Sequence, residues 1–113
     1  MPRPRYELCY LPGAEADLSG ILVYIASELG ASEAAGRLLD KIEQAICRLK
    51  IFPYAHPLYP AGVDTAPLEF RALVADSYIV LYYVAEQTVT VARIVYGGRD
   101  IQAILRKMGK RSL

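Results

Sequence analysis

A single histidine, His56, and only two cysteines, Cys9 and Cys47, leave this chain short of the side chains that most metal and nucleophile chemistry requires. It has no CxxC pair, no histidine cluster and no Ser/His/Asp grouping in a recognisable context, which argues against a zinc site, a redox dithiol or a serine hydrolase. Neither glycine pattern for cradling phosphates is present; the one glycine pair, Gly97-Gly98, suits a tight turn or a close backbone approach. No metal and no cofactor is therefore expected. Apolar runs such as Ile79 to Ala85 are far too short to cross a bilayer, so no membrane partner is expected. Met1-Pro2-Arg3-Pro4-Arg5 leads into Tyr6 and Glu7 without the apolar centre of an export signal. A reducing, cytoplasmic setting follows as the expectation, with Cys9 and Cys47 read as small buried hydrophobes and not as a disulfide. Lysine is absent between Lys50 and Lys107, where every cation is an arginine.

What is present is a chain of 113 residues with 54% apolar and 22% charged side chains, the make-up of an ordered globule. That length accommodates one domain, residues 1–113, with a thin core. The net charge of +1 conceals an asymmetry. Residues 1–86 carry seven Lys/Arg against eleven Asp/Glu, whereas residues 87–113 carry six against Asp100 alone. A basic C-terminal part attracts phosphate or an acidic protein segment, although Arg106, Lys107, Lys110 and Arg111 also suit the solvated face of a terminal helix.

Arg5 to Leu11 alternate loosely and end at Pro12-Gly13, which predicts a strand running into a helix. Leu18, Ile21, Leu22, Ile25, Ala26 and Leu29 then follow helical spacing up to Gly30. Ser32 is the expected cap of a second helix with the apolar stripe Ala35, Leu38, Leu39, Ile42, Ala45, Ile46 and Leu49, ended by Pro53. The short connection makes the two an antiparallel hairpin. Pro53 to Pro67 hold four prolines and no periodicity, which predicts a loop. His56 lies within it, and a lone loop histidine without a positioned partner is more often inert than catalytic. Leu68 to Val74, Ser77 to Ala85 and Thr88 to Tyr96 then form an antiparallel meander, its middle run apolar on both faces. Asp100 to Lys107 read as a short terminal helix. The predicted class is α+β: an N-terminal strand, an antiparallel helical hairpin packed on a small, mainly antiparallel sheet, and a short C-terminal helix.

The residues suited to chemistry cluster in this C-terminal part. Arg71, Arg93 and Arg99 stand in or just after separate strands, and alternation can bring such residues onto one face, where guanidinium groups grip phosphate or carboxylate by two points. Arg71 can instead pair with Glu69 or Asp76. Tyr82, Tyr83 and Tyr96 lie near these arginines, and tyrosine serves equally in stacking, proton donation and core packing.

The chain resembles the RelE/ParE superfamily of bacterial type II toxin–antitoxin toxins. The resemblance rests on Leu11-Pro12 with Ala14, Ala16, Asp17 and Leu18, on Tyr24-Ile25-Ala26, and on Leu49 with Phe52-Pro53. It continues in Arg71-Ala72-Leu73, in Tyr78 with Val80 and Tyr82, and in Tyr96-Gly97-Gly98-Arg99-Asp100. The first-helix pattern and Arg99-Asp100 look more like the ParE branch, whose members poison DNA gyrase, than the RelE branch, whose members cut messenger RNA on the ribosome. The ParE resemblance implies a plasmid-stabilising toxin that binds gyrase, is neutralised by a cognate antitoxin in a hetero-oligomer, and uses Arg71, Tyr83, Arg93, Tyr96, Arg99 and Arg106 toward target or antitoxin. The RelE resemblance implies instead an endoribonuclease whose catalytic residues include Arg71, Tyr96 and Arg99, with ribosome and mRNA as partners. A degenerate toxin that only binds its antitoxin is the third reading.

Overall fold

A computed structural model describes residues 5–59, 69–98, 101, 103 and 104. The chain opens with β1 (Glu7–Tyr10), followed by α1 (Pro12–Val23), which runs on as a π-helical turn over Tyr24–Glu28. Next come α2 (Ser32–Cys47), a 3-10 turn at Arg48–Lys50, and the strands β2 (Arg71–Ala75), β3 (Tyr78–Ala85) and β4 (Thr88–Tyr96). Ile101, Ala103 and Ile104 are helical, within the segment where a terminal helix was expected. The strand order is β1-β4-β3-β2, with β1 parallel to β4 and the other pairs antiparallel. The class is α+β, as the sequence pattern requires.

Apolar spacing builds both helices, but with different success. Along α2, Ala35, Leu38, Ile42 and Ile46 are buried and Leu49 continues the stripe, so one face closes on the sheet. In α1 only Ala14 is fully buried, and Leu29 beyond it is exposed where helical spacing placed it inward. The π-helical turn is the reason. The Leu29 N–H reaches back to the Tyr24 carbonyl, five residues away, which rotates the end of the helix relative to its stripe. Gly30, at φ +61, then reverses the chain in a region that other residues enter only with strain. The expected Ser32 cap is not used: Ala31 is the N-cap and makes no side-chain bond. At α1, Pro12 occupies the first turn, where its missing N–H costs nothing.

The hairpin turns fall at Asp76-Ser77 and Glu86-Gln87, and Asp76 and Glu86 each adopt φ 57. The sheet carries a core on both faces. On the helix side Leu73, Ala75, Val80, Tyr82, Val89, Val91 and Ile94 meet Leu38, Ile42, Ile46 and Leu49. On the other side Phe70, Leu81, Ala92, Val95 and Ile101 gather, with Tyr83 packed against them. This is why β3 is apolar throughout. The predicted loop also contains structure, because the Ala72 N–H bonds the Pro57 carbonyl and the Tyr59 N–H bonds the Phe70 carbonyl, which lays residues 57–59 along β2. The cysteines depart from expectation: both are exposed, Cys9 on the outward side of the edge strand β1 and Cys47 on the outward side of α2.

One irregularity sets the face of several side chains. Arg93 pairs with Leu81 and Val91 with Tyr82, so Ala92 is an extra residue in β4. Simple alternation would put Val91 and Ile94 on opposite faces. The bulge lets both enter the helix-side core.

Candidate functional site

Arg71 and Arg93 do not share one surface of the sheet. Arg71 stands opposite Tyr82 and so takes the helix side, whereas Arg93 stands opposite Leu81, whose side chain belongs to the other face. A shift of one residue reverses the face of a side chain, and the bulge supplies that shift.

Arg71 is the centre of an aromatic cluster where the segment after α2 runs alongside β2. Its Nη1 donates to the His56 carbonyl at 2.7 Å, and its guanidinium lies 5.0 Å from the centre of the Tyr54 ring, over its face. The buried Tyr82 hydroxyl donates to the Pro53 carbonyl at 2.8 Å. The rings of His56 and Tyr82 meet edge to face, as do those of Tyr6 and Tyr54. Burial pushes the Tyr82 phenol up to about 12, against the opposing pull of the Arg71 charge and of the His56 backbone. Burial also lowers the His56 imidazole, which favours its neutral form. Neither Glu69 nor Asp76 pairs with Arg71; Asp76 instead lies 3.7 Å from the Lys41 ammonium. Among the described residues this half-buried cation meets no carboxylate. Phe52, Tyr54 and Leu58 are exposed on the same segment.

Arg93 is held differently. Its Nε and Nη2 donate to the two carboxylate oxygens of Asp17 at 2.6 and 2.9 Å, and the Ile94 N–H donates to the same carboxylate at 2.9 Å. Past Val91 the edge of β4 has lost its β1 partner, and Asp17 from α1 takes over an N–H that a longer β1 would have met. The Arg93 side chain lies against Gly13, where a Cβ would approach it to 3.2 Å. The pairing holds the guanidinium protonated, burial opposing only part of this. Arg93 therefore fastens α1 to the sheet.

Tyr83 packs edge to face on Phe70 at 5.6 Å and is half-buried on the face away from the helices. Tyr96 is 56% exposed, edge to face with Tyr78 at 5.9 Å, and its ring covers Gly98, where a Cβ would come within 2.9 Å. Tyr78 and Tyr96, together with Tyr24 and Asp17, line a recess of about 350 Å³ between α1 and the end of β4. Arg71 and Tyr96 stand at opposite corners of the sheet. Four residues along the strands at ~3.3 Å and two strand spacings of ~4.8 Å across put their backbones on the order of 16 Å apart. Arg99 and Arg106 lie outside the described residues.

Three residues of these arrangements had no assigned role from the sequence. Tyr54 was hidden in a proline-rich stretch with no period, Tyr24 and Asp17 entered only as letters of a first-helix pattern, and the partners Asp17 and Arg93 are too far apart in the chain for spacing to join them.

Comparison with known proteins fits this architecture. The profile of a family described as "ParE toxin of type II toxin-antitoxin system, parDE" matches residues 8–101. The chain belongs to the ParE toxin family. Among solved structures, a chain of the chromosomal ParDE toxin–antitoxin system from P. aeruginosa superposes with a TM-score of 0.66 at 19% identity. The match covers 81% of this chain and 96% of that one. At such low identity it speaks for the fold alone. Comparison with curated proteins gives no match. Membership of the ParE family brings an antitoxin partner with it, and no helix among the described residues is long and apolar enough to cross a membrane.

Proposed function

We propose that this ParE-family chain stabilises plasmids or chromosomal modules as a cytoplasmic toxin that binds DNA gyrase, works without catalysis of its own, and is held inactive by a cognate antitoxin. The observation that carries the reading is the separation of Arg71 from Tyr96. Cleaving RNA through its 2′-hydroxyl takes a base, an acid and cations around one phosphate; with backbones ~16 Å apart, the Arg71 guanidinium held at the His56 carbonyl and Tyr54 ring and the Tyr96 ring lying over Gly98, these two are not arranged around one phosphate. The groups beside Arg71 support the same view. The Tyr82 hydroxyl is committed to the Pro53 carbonyl and resists ionisation, and the His56 ring is packed edge-on against Tyr82.

What the Arg71 corner offers suits a protein surface. A guanidinium with no carboxylate among the described residues, stacked on Tyr54 and next to exposed Leu58, is the mixture of cation and apolar side chain found in binding hot spots. A flexible acidic antitoxin segment, ordered on contact, would complement it.

The test is brief induction in a bacterial host while incorporation of labelled thymidine and labelled amino acid is followed in parallel. Early loss of thymidine incorporation is expected, with inhibition of supercoiling by purified gyrase. Early loss of amino-acid incorporation, abolished by Arg71→Ala, would overturn the proposal and make the chain an endoribonuclease. Normal antitoxin binding with neither loss would overturn it too, leaving an inactive antitoxin-binding protein.

A further inference from the structure

We infer that the recess between α1 and the end of β4 is a binding site for an organic cation, a guanidinium group held on its tyrosine rings, whatever the toxin's target. Its helical wall is hollow because Ala16, Gly20 and Tyr24, four residues apart, share one face, and only the last carries a large side chain. A Cβ added at Gly20 would meet open space. Tyr78 and Tyr96 line the recess from the sheet, edge to face at 5.9 Å. Tyr24 is 55% exposed and Tyr96 56%, so two large rings stand unpacked around a space of about 350 Å³. The closeness of the three phenols shows in Tyr78, which burial first, then the Asp76 charge, then Tyr96 and Tyr24 push up.

The lining selects the ligand. Aromatic faces are electrically negative and attract a cation, and several rings around one space hold it better than one. The nearby acids disfavour an anion, since Asp17 opens on the recess and the Asp76 charge reaches Tyr78. Both are already paired, Asp17 closely with Arg93 at 2.6 Å and Asp76 loosely with Lys41 at 3.7 Å. A cation held here therefore exchanges water mainly for ring faces and not for a carboxylate. That exchange suits the flat, weakly hydrated guanidinium better than the strongly hydrated ammonium. The molecule makes this contact once already, where the Arg71 guanidinium lies 5.0 Å from the centre of the Tyr54 ring. Among the described residues, Tyr24, Tyr78 and Tyr96 have no such cation of their own.

The test titrates the full isotope-labelled chain with N-acetyl-arginine methylamide and with its neutral isostere, N-acetyl-citrulline methylamide, while the amide resonances of Gly20, Tyr24, Tyr96 and Gly97 are followed. The arginine compound is expected to shift these resonances to saturation, and the citrulline compound, which keeps the shape and loses the charge, to bind about tenfold more weakly or not at all. Tyr24→Leu, at an exposed position, should weaken the arginine compound about threefold or more, whereas Tyr24→Phe keeps the ring and should leave it within about twofold. Gly20→Leu raises helix propensity and fills the hollow, so it should abolish binding; the two Tyr24 variants keep the proposal testable if that change disturbs the helix. Ethylguanidinium, the same head without the peptide groups, distinguishes the source. Tighter binding of the arginine compound supports the site and assigns its ligand to a protein side chain, and equal or tighter binding of ethylguanidinium supports it for a free guanidine. Equal binding of the arginine and citrulline compounds, loss of binding in Tyr24→Phe, or no shift at the four amides would overturn it.

Discussion

Replacing Asp17 with alanine should destabilise the fold out of proportion to the size of the side chain. Asp17 accepts three hydrogen bonds, two from Arg93 and one from the Ile94 amide, and its side chain is 15% exposed against 26% for Arg93. Breaking a fully buried ion pair by removing one partner costs ~3–5 kcal/mol, because the surviving charge is stranded. Residual solvent reduces that here, while the orphaned Ile94 N–H adds ~1 kcal/mol, so about 2–4 kcal/mol is expected for Asp17→Ala. Arg93→Ala should cost less, about 1–3 kcal/mol, since the carboxylate left behind still accepts from the Ile94 amide and no backbone donor is orphaned. The double variant should fall short of the sum by ~1–3 kcal/mol, the coupling expected of groups in one network. Urea unfolding of the four proteins, followed by circular dichroism, gives these values from midpoints at a common slope. Additivity within ~0.5 kcal/mol, or a loss below that for Asp17→Ala, would refute the view that this pair fastens α1 to the β4 edge.

Three further changes probe the same framework. Tyr82→Phe keeps the packing but leaves the Pro53 carbonyl without its donor, so a loss of about 1–2 kcal/mol is expected in urea unfolding; no loss would mean that water replaces the bond. His56 has a folded value below its ordinary 6.5, so the unfolded chain takes up a proton first and stability falls as pH drops through 6.5 toward the folded value. The midpoint lost between about pH 7.5 and 5.5 should accordingly be smaller in His56→Gln than in the parent, and equal losses would contradict the assignment. Glu86 holds φ 57 at a hairpin turn, so Glu86→Gly should raise stability by up to ~1 kcal/mol, offset in part by the greater freedom glycine gains on unfolding, and a drop in melting temperature would count against strain there.

The features legible in the sequence were those with a local period. The α2 stripe reads directly as Leu38, Ile42, Ile46 and Leu49, and the doubly apolar β3 announces a central strand, because each pattern results from the burial it predicts. What stayed hidden depends on distant partners or on a single-residue irregularity. Nothing local marks Ala92 as an added residue, yet that bulge decides that Arg71 and Arg93 face apart and so separates two of the three arginines expected on one surface. Residues 57–59 pair with β2 despite Pro57, since at an outer edge a strand can donate with one residue and accept with another, and a proline scan alone reads only a loop. The exposure of Leu29 likewise follows from a five-residue hydrogen bond that helical spacing does not anticipate.

The parallel pairing of β1 with β4 has a consequence for when the molecule becomes whole. Glu7 lies beside Thr88, so the first strand made by the ribosome waits for the last, and the Asp17 contact to Arg93 waits with it. At 5–20 residues per second, the intervening stretch of about 80 residues takes roughly 4–16 s to synthesise. Throughout that interval the nascent chain holds a helical hairpin with no complete sheet beneath it. A chain built this way completes its sheet only once nearly all of it has been made.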